Sequence, residues 1–81
     1  MTRDQIEQIL RAELNRIAPD IAIDRIDPAA PLREEFDIDS IDVLTLVTAL
    51  SKALKIDIPE ADYPQMESYA DLLDYLAARA G

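Results

Sequence analysis

Asp39-Ser40-Ile41-Asp42, running on into Val43-Leu44-Thr45-Leu46-Val47-Thr48-Ala49-Leu50-Ser51-Lys52-Ala53-Leu54-Lys55, is the segment from which the rest of this chain is best read. Val43, Leu46, Val47, Leu50 and Leu54 recur at three- and four-residue spacing, which predicts a helix over 40–55 with one apolar face. Asp39 stands where an N-cap belongs and Asp42 lies in the first turn, both at the positive end of the helix dipole. Ser40 then falls at the first helical position, its hydroxyl turned outward and the cap role already filled. With no histidine anywhere in the chain to act as its base, such a serine is a poor nucleophile. It is an accessible acceptor for another enzyme's chemistry.

The opposite side of that helix, at 100° per residue, carries Ile41, Leu44, Thr45, Thr48, Lys52 and Lys55. Two large apolar residues beside Ser40 suggest a docking surface, with Ile41, Asp42, Leu44, Thr45 and Thr48 as the candidate partner-binding residues. The alternative, that Ile41 and Leu44 pack against the preceding loop, stays open at this point.

Outward from this helix the chain shows two further helical patterns. Thr2-Arg3-Asp4-Gln5 has the form of a capping box, and Ile6, Ile9, Leu10, Leu14 and Ile17 follow at helical spacing until Pro19 ends the run. Ser68-Tyr69-Ala70-Asp71 repeats the capping signal before Tyr69, Leu72, Leu73 and Leu76. Pro59 opens a short third helix that Pro64 is expected to close after a turn or two. Pro19 to Asp39 reads as a long loop with three prolines, pinned by Ile21, Ile23, Ile26, Leu32 and Phe36. The expected fold is an all-α four-helix bundle, with three main helices, one short helix and a long first loop.

The 81 residues suit one domain, 1–81, and are 49% hydrophobic with a single glycine, a balance that favours a compact helical protein over a disordered segment. Seventeen acids against eight bases leave a net charge of −9, which argues against nucleic acid and for partners with basic docking surfaces. No cysteine is present, so neither a disulfide framework nor a thiolate metal site is expected. Met1 to Asp4 leads straight into a helical pattern, and no apolar run approaches the ~20 residues that cross a bilayer. The expectation is a cytoplasmic monomer without a membrane partner.

The acids Glu34, Glu35, Asp37, Asp39 and Asp42 invite a test for calcium, whose EF-hand loop needs glycine at its sixth position and glutamate at its twelfth. Counting from Asp37 these are Asp42 and Thr48; counting from Glu35 they are Ser40 and Leu46. Neither register works, and no intrinsic metal site is expected. Nothing suggests a cleft that would split the pKa values of two carboxylates, so there is no candidate catalytic residue.

Asp39-Ser40-Ile41-Asp42, the apolar helix behind it, Ile58-Pro59, and Met66 and Tyr69 together resemble the acyl carrier protein family over nearly the whole chain. The resemblance implies a non-catalytic carrier whose Ser40 receives 4′-phosphopantetheine from coenzyme A through a magnesium-dependent phosphopantetheinyl transferase. It assigns Asp39 to positioning metal and phosphate at that transferase. It further implies that acyl groups ride as thioesters to partner enzymes of fatty acid, polyketide or related biosynthesis, and that Leu46, Val47, Leu50, Ile58, Met66 and Tyr69 wall an acyl pocket.

Two departures from the family pattern stand out. Asp37 occupies the position of a family glycine, which suggests an altered loop path. Residues 43–55 contain no acid and two lysines, so the steering charge is expected on the loop and on Asp57, Glu60 and Asp62, as in a specialised rather than a housekeeping carrier. A peptidyl or aminoacyl carrier, and a helical interaction module that is never modified, are the alternatives.

Overall fold

A computed structural model of the chain describes residues 1–80. It contains four α-helices, α1 (Arg3–Ile17), α2 (Leu32–Glu35), α3 (Ser40–Leu54) and α4 (Tyr69–Ala80), with 3₁₀ segments at Ile23–Arg25 and Glu60–Met66; there is no β-strand among the described residues. The fold is thus all-helical, as the periodicity predicts. α1 packs against both α3 and α4, and the second 3₁₀ segment packs against α4.

The long helices begin where their caps are. Thr2 and Gln5 form the reciprocal capping box of α1, and the stripe Ile6, Leu10 and Leu14 below it is completely buried. At α3 the Asp39 carboxylate accepts from the Asp42 N–H at 2.9 Å and Asp42 accepts from the Asp39 N–H at 3.4 Å. Leu46, Val47, Leu50 and Leu54 are buried beneath, each stabilising the fold by roughly 1.5–3 kcal/mol before chain entropy is subtracted. Val43, expected in the same stripe, is only half-buried, because it sits at the edge where α3 parts from the 3₁₀ segment 60–66. Lys55 ends α3 in the left-handed conformation at φ 56. At α4, Ser68 accepts from the Asp71 N–H at 3.0 Å as the sequence pattern suggests.

The segment between α1 and α3 corrects the expected long loop. It is broken by the first 3₁₀ turn and by α2, a single helical turn. Three anchors make this possible: Leu32, Phe36 and Ile38 all enter the core. The segment is also stitched across the molecule, with the Leu32 N–H donating to the Glu67 carbonyl at 2.6 Å and the Ala70 N–H to the Pro28 carbonyl at 3.0 Å. Asp37 sits at φ 51, the conformation that glycine serves most cheaply and that Asp tolerates better than most residues, at a cost of roughly 1–2 kcal/mol. The aspartate thus itself takes a backbone conformation of the kind glycine supplies.

Pro64 does not close the third helix. The 3₁₀ segment runs through it to Met66, since the shorter i→i+3 pattern escapes the clash with the i−4 carbonyl that proline causes in an α-helix. This segment is fastened to α4 by one acid. Asp62 accepts from the Tyr75 hydroxyl at 2.6 Å and from Arg79 at 2.7 Å, while the Arg79 guanidinium lies 4.8 Å from the Tyr75 ring centroid.

Candidate functional site

Ser40 opens α3 as its first helical residue, and it is exposed. Because Asp39 and Asp42 satisfy the helix end between them, the Ser40 hydroxyl is left without a hydrogen-bond partner among the described residues. Around it lie Ile41 and Leu44, 72% and 53% exposed, the largest apolar side chains that the core leaves to solvent apart from Met1. Both keep most or about half of their surface in solvent while lining one cleft with Pro31 and Leu32 of the preceding segment. Thr45 and Thr48 are exposed on the same face, although the Thr45 hydroxyl is turned back onto the Ile41 carbonyl at 3.0 Å. Asp42 is half-buried and held in the cap.

A cleft of about 830 Å³ opens beside Ser40, between α2, the start of α3 and the 3₁₀ segment 60–66. Its apolar walls include Leu32, Ile41, Val43, Leu44, Tyr63 and Met66, together with Pro31 and Pro64. Of the six residues assigned to an acyl pocket from the sequence, only Met66 reaches this cleft. Leu46, Val47, Leu50, Ile58 and Tyr69 are buried in the continuous core, where they fill space. Leu32, Val43, Tyr63 and Pro64 carried no distinguishing signal, because apolar periodicity marks what faces inward and not which two elements stand apart.

Tyr69 shows what the buried set does. Its hydroxyl donates to the Glu7 carboxylate at 2.7 Å, fastening α4 to α1. Burial, and then that bond, push its pKa up to about 12. The unfolded chain releases this proton near pH 10 while the folded chain keeps it until about 12, so in that window the unfolded state binds fewer protons and stability falls as pH rises. Below pH 10 the contribution is fully present. The rise from 10 to about 12 corresponds to roughly 3 kcal/mol at most, and because the hydroxyl is only partly buried, solvent screening should leave a loss on the order of 1–2 kcal/mol across the window, measured by urea unfolding. Tyr69→Phe should flatten part of the slope, leaving what Tyr75 contributes, whose pKa is raised by burial and by Asp62. An unchanged slope in Tyr69→Phe would remove this assignment.

The acids divide in the same way. Glu34, Asp37 and Asp39 are exposed in the segment that leads to Ser40, Glu60 is exposed where it lines the cleft with Ser40, and Asp57 is exposed beyond α3. Asp62 is not available for steering, since it is engaged by Tyr75 and Arg79, and Glu35 is taken by the Asp27 N–H at 2.7 Å. Among the described residues, no group of three or more acids, histidines or cysteines converges as a metal site, and no helix is long and apolar enough to cross a membrane.

The family model described as the phosphopantetheine attachment site matches residues 4–76. The acyl carrier protein of Syntrophobacter fumaroxidans is 36% identical over 63 residues, covering 75% of this chain and 78% of that protein. The mitochondrial acyl carrier protein of Saccharomyces cerevisiae is 24% identical over 82 residues, covering 96% of this chain and 65% of that one. A solved structure of the acyl carrier protein from Enterococcus faecalis superposes with a TM-score of 0.73 at 25% identity, covering 96% of this chain and 98% of its own.

Proposed function

Because this chain belongs to the acyl carrier protein family, whose members are non-catalytic carriers modified with 4′-phosphopantetheine, we propose that Ser40 is the attachment residue and that the cargo is an acyl group of a biosynthetic pathway. One observation carries this reading: a serine hydroxyl that is exposed and unengaged at the mouth of an apolar cleft. When attached, the group supplies a thiol on a flexible arm, on which an acyl chain is held as a thioester. The chain's own contribution is presentation. Asp39 caps α3 so that Ser40 does not have to, and its exposed carboxylate is our candidate for positioning metal and phosphate at the transferase.

Ile41, Leu44 and Thr48 form the surface on which the transferase and the acyl-handling enzymes dock, with Asp42 and Thr45 supporting it from within the first turns. Exposed acids at the Ser40 end favour basic partners by steering their approach. Because α3 itself has lysines at its far end and no acid beyond Asp42, we read the chain as serving a dedicated enzyme set, as a soluble monomer of the cytoplasm. The cleft, with Met66 among its walls, is the better candidate for sheltering an acyl chain than the closed core around Leu46, Val47, Leu50, Ile58 and Tyr69.

The experiment has two stages. Incubation with coenzyme A and a broad-specificity phosphopantetheinyl transferase should add the mass of one phosphopantetheine to the intact protein, on the peptide that contains Ser40. The holo-protein is then offered to generic fatty acid synthase enzymes, where slow loading and elongation are expected. Failure to gain the mass would defeat the carrier reading of Ser40; elongation at the rate of a housekeeping carrier would defeat the dedicated role alone. Loading by an amino-acid-activating enzyme in place of an acyl-loading one would favour the aminoacyl alternative.

A further inference from the structure

We propose that Arg33 is the counterion of the phosphodiester that attachment creates on Ser40, and that it thereby lays the arm along the cleft. This deepens, and rests on, the reading of Ser40 as the attachment residue. Arg33 and Ser40 line the same cleft, and Arg33 is the only basic residue among its lining. Esterification replaces a neutral hydroxyl by a group bearing one negative charge at neutral pH, at a helix start that already holds the carboxylates of Asp39 and Asp42. Glu60 and Glu67 also line the cleft, so like charges repel the phosphodiester from the acidic members of the lining, and only Arg33 offsets them.

The guanidinium is free to do this. Arg3, Arg11, Arg16 and Arg79 are each paired with a carboxylate, whereas Arg33 and Arg25 have no ion-pair partner among the described residues, and of these two only Arg33 lines the cleft. Its rigid fork of donors suits two phosphate oxygens at once. Its base is fixed as well: Arg33 lies in α2, between the buried Leu32 and Phe36, and its carbonyl accepts from the Ile38 N–H at 3.1 Å. The side chain therefore starts from an anchored turn of the same cleft wall. An arm pinned at its phosphate and bordered by Leu32, Val43 and Leu44 is directed along the apolar surface and not into water.

The test begins with holo-protein made from coenzyme A and a broad-specificity transferase, the added mass showing that the arm is on. At low salt, the Arg33 Nε–Hε resonance should shift between the apo and holo forms and its hydrogen exchange should slow several-fold. The ³¹P resonance of the phosphodiester should move in Arg33→Ala, return toward the wild-type position in Arg33→Lys, and lose its dependence on residue 33 in concentrated salt. Arg33 is exposed, so both variants should unfold at the wild-type temperature. Holo-protein whose ³¹P and Arg33 resonances ignore each other overturns the inference and leaves the attachment reading intact, including the case in which Arg33→Ala only slows attachment by weakening the transferase encounter. No mass gain overturns the attachment reading itself, and the counterion role with it.

Discussion

Ser40→Ala should gain no mass from coenzyme A under conditions that convert the wild type completely, and should unfold within about 3 °C of it. The two halves of this result follow from one geometry. The α3 terminus is satisfied by Asp39 and Asp42, at 2.9 Å and 3.4 Å, so the Ser40 hydroxyl holds nothing in place. Alanine at an exposed first-turn position is at least as good a helix former as serine, and the propensity difference is roughly 0.5 kcal/mol. Asp39→Asn makes the complementary separation. Asparagine caps as well as aspartate does, so the unfolding temperature should hold while the carboxylate offered to the transferase is lost and modification slows. A large fall in stability of Ser40→Ala would mean that the hydroxyl has a structural partner after all; residual modification would move the attachment to another residue.

What could be read in advance follows the range over which each signal acts. The ends of α1 and α3 were legible because a cap and its N3 partner lie three residues apart, and their buried faces because helical periodicity repeats every three or four. α2 was not legible. One turn of helix has too few residues for periodicity, and part of what holds it is the bond from Leu32 to Glu67, thirty-five positions away. Pro64 misled because the rule that proline ends a helix is a statement about i→i+4 bonding. The clasp of Asp62 with Tyr75 and Arg79 had a partial signal in the i, i+4 spacing of the latter two on α4, but nothing in the sequence pointed to the acid they share. Burial predicted from pattern was sound for Leu46, Val47, Leu50, Leu54 and Tyr69. An opening between elements depends on how helices and loops are spaced, which no single periodicity encodes, and so Arg33 and the cleft walls other than Met66 emerge only with the fold.

Phe36→Ala should cost about 3–5 kcal/mol, the range for deleting a buried aromatic side chain. A domain of this size commands roughly 4–12 kcal/mol in all, so the variant should lose about a quarter of its stability or more, and urea unfolding at low temperature would register the loss directly. The expectation rests on position as much as on size. Phe36 is 2% exposed, and it is the only phenylalanine in a segment whose other anchors are Leu32 and Ile38. It also caps α2, its N–H donating to the Leu32 carbonyl at 3.0 Å, and it immediately precedes Asp37 in its left-handed conformation. Without the ring, the bend at Asp37 loses the packing that offsets its backbone cost, and the approach to Ser40 loosens. Modification should therefore slow even at temperatures where far-ultraviolet circular dichroism still reports native helix content. Ile38→Ala, which removes a smaller and slightly more exposed side chain from the same segment, should show both effects in weaker form. A Phe36→Ala protein that loses less than about 1 kcal/mol would place the ring outside the core; one that loses the full amount yet accepts the arm at the wild-type rate would show that Asp39 and Asp42 alone suffice to present Ser40.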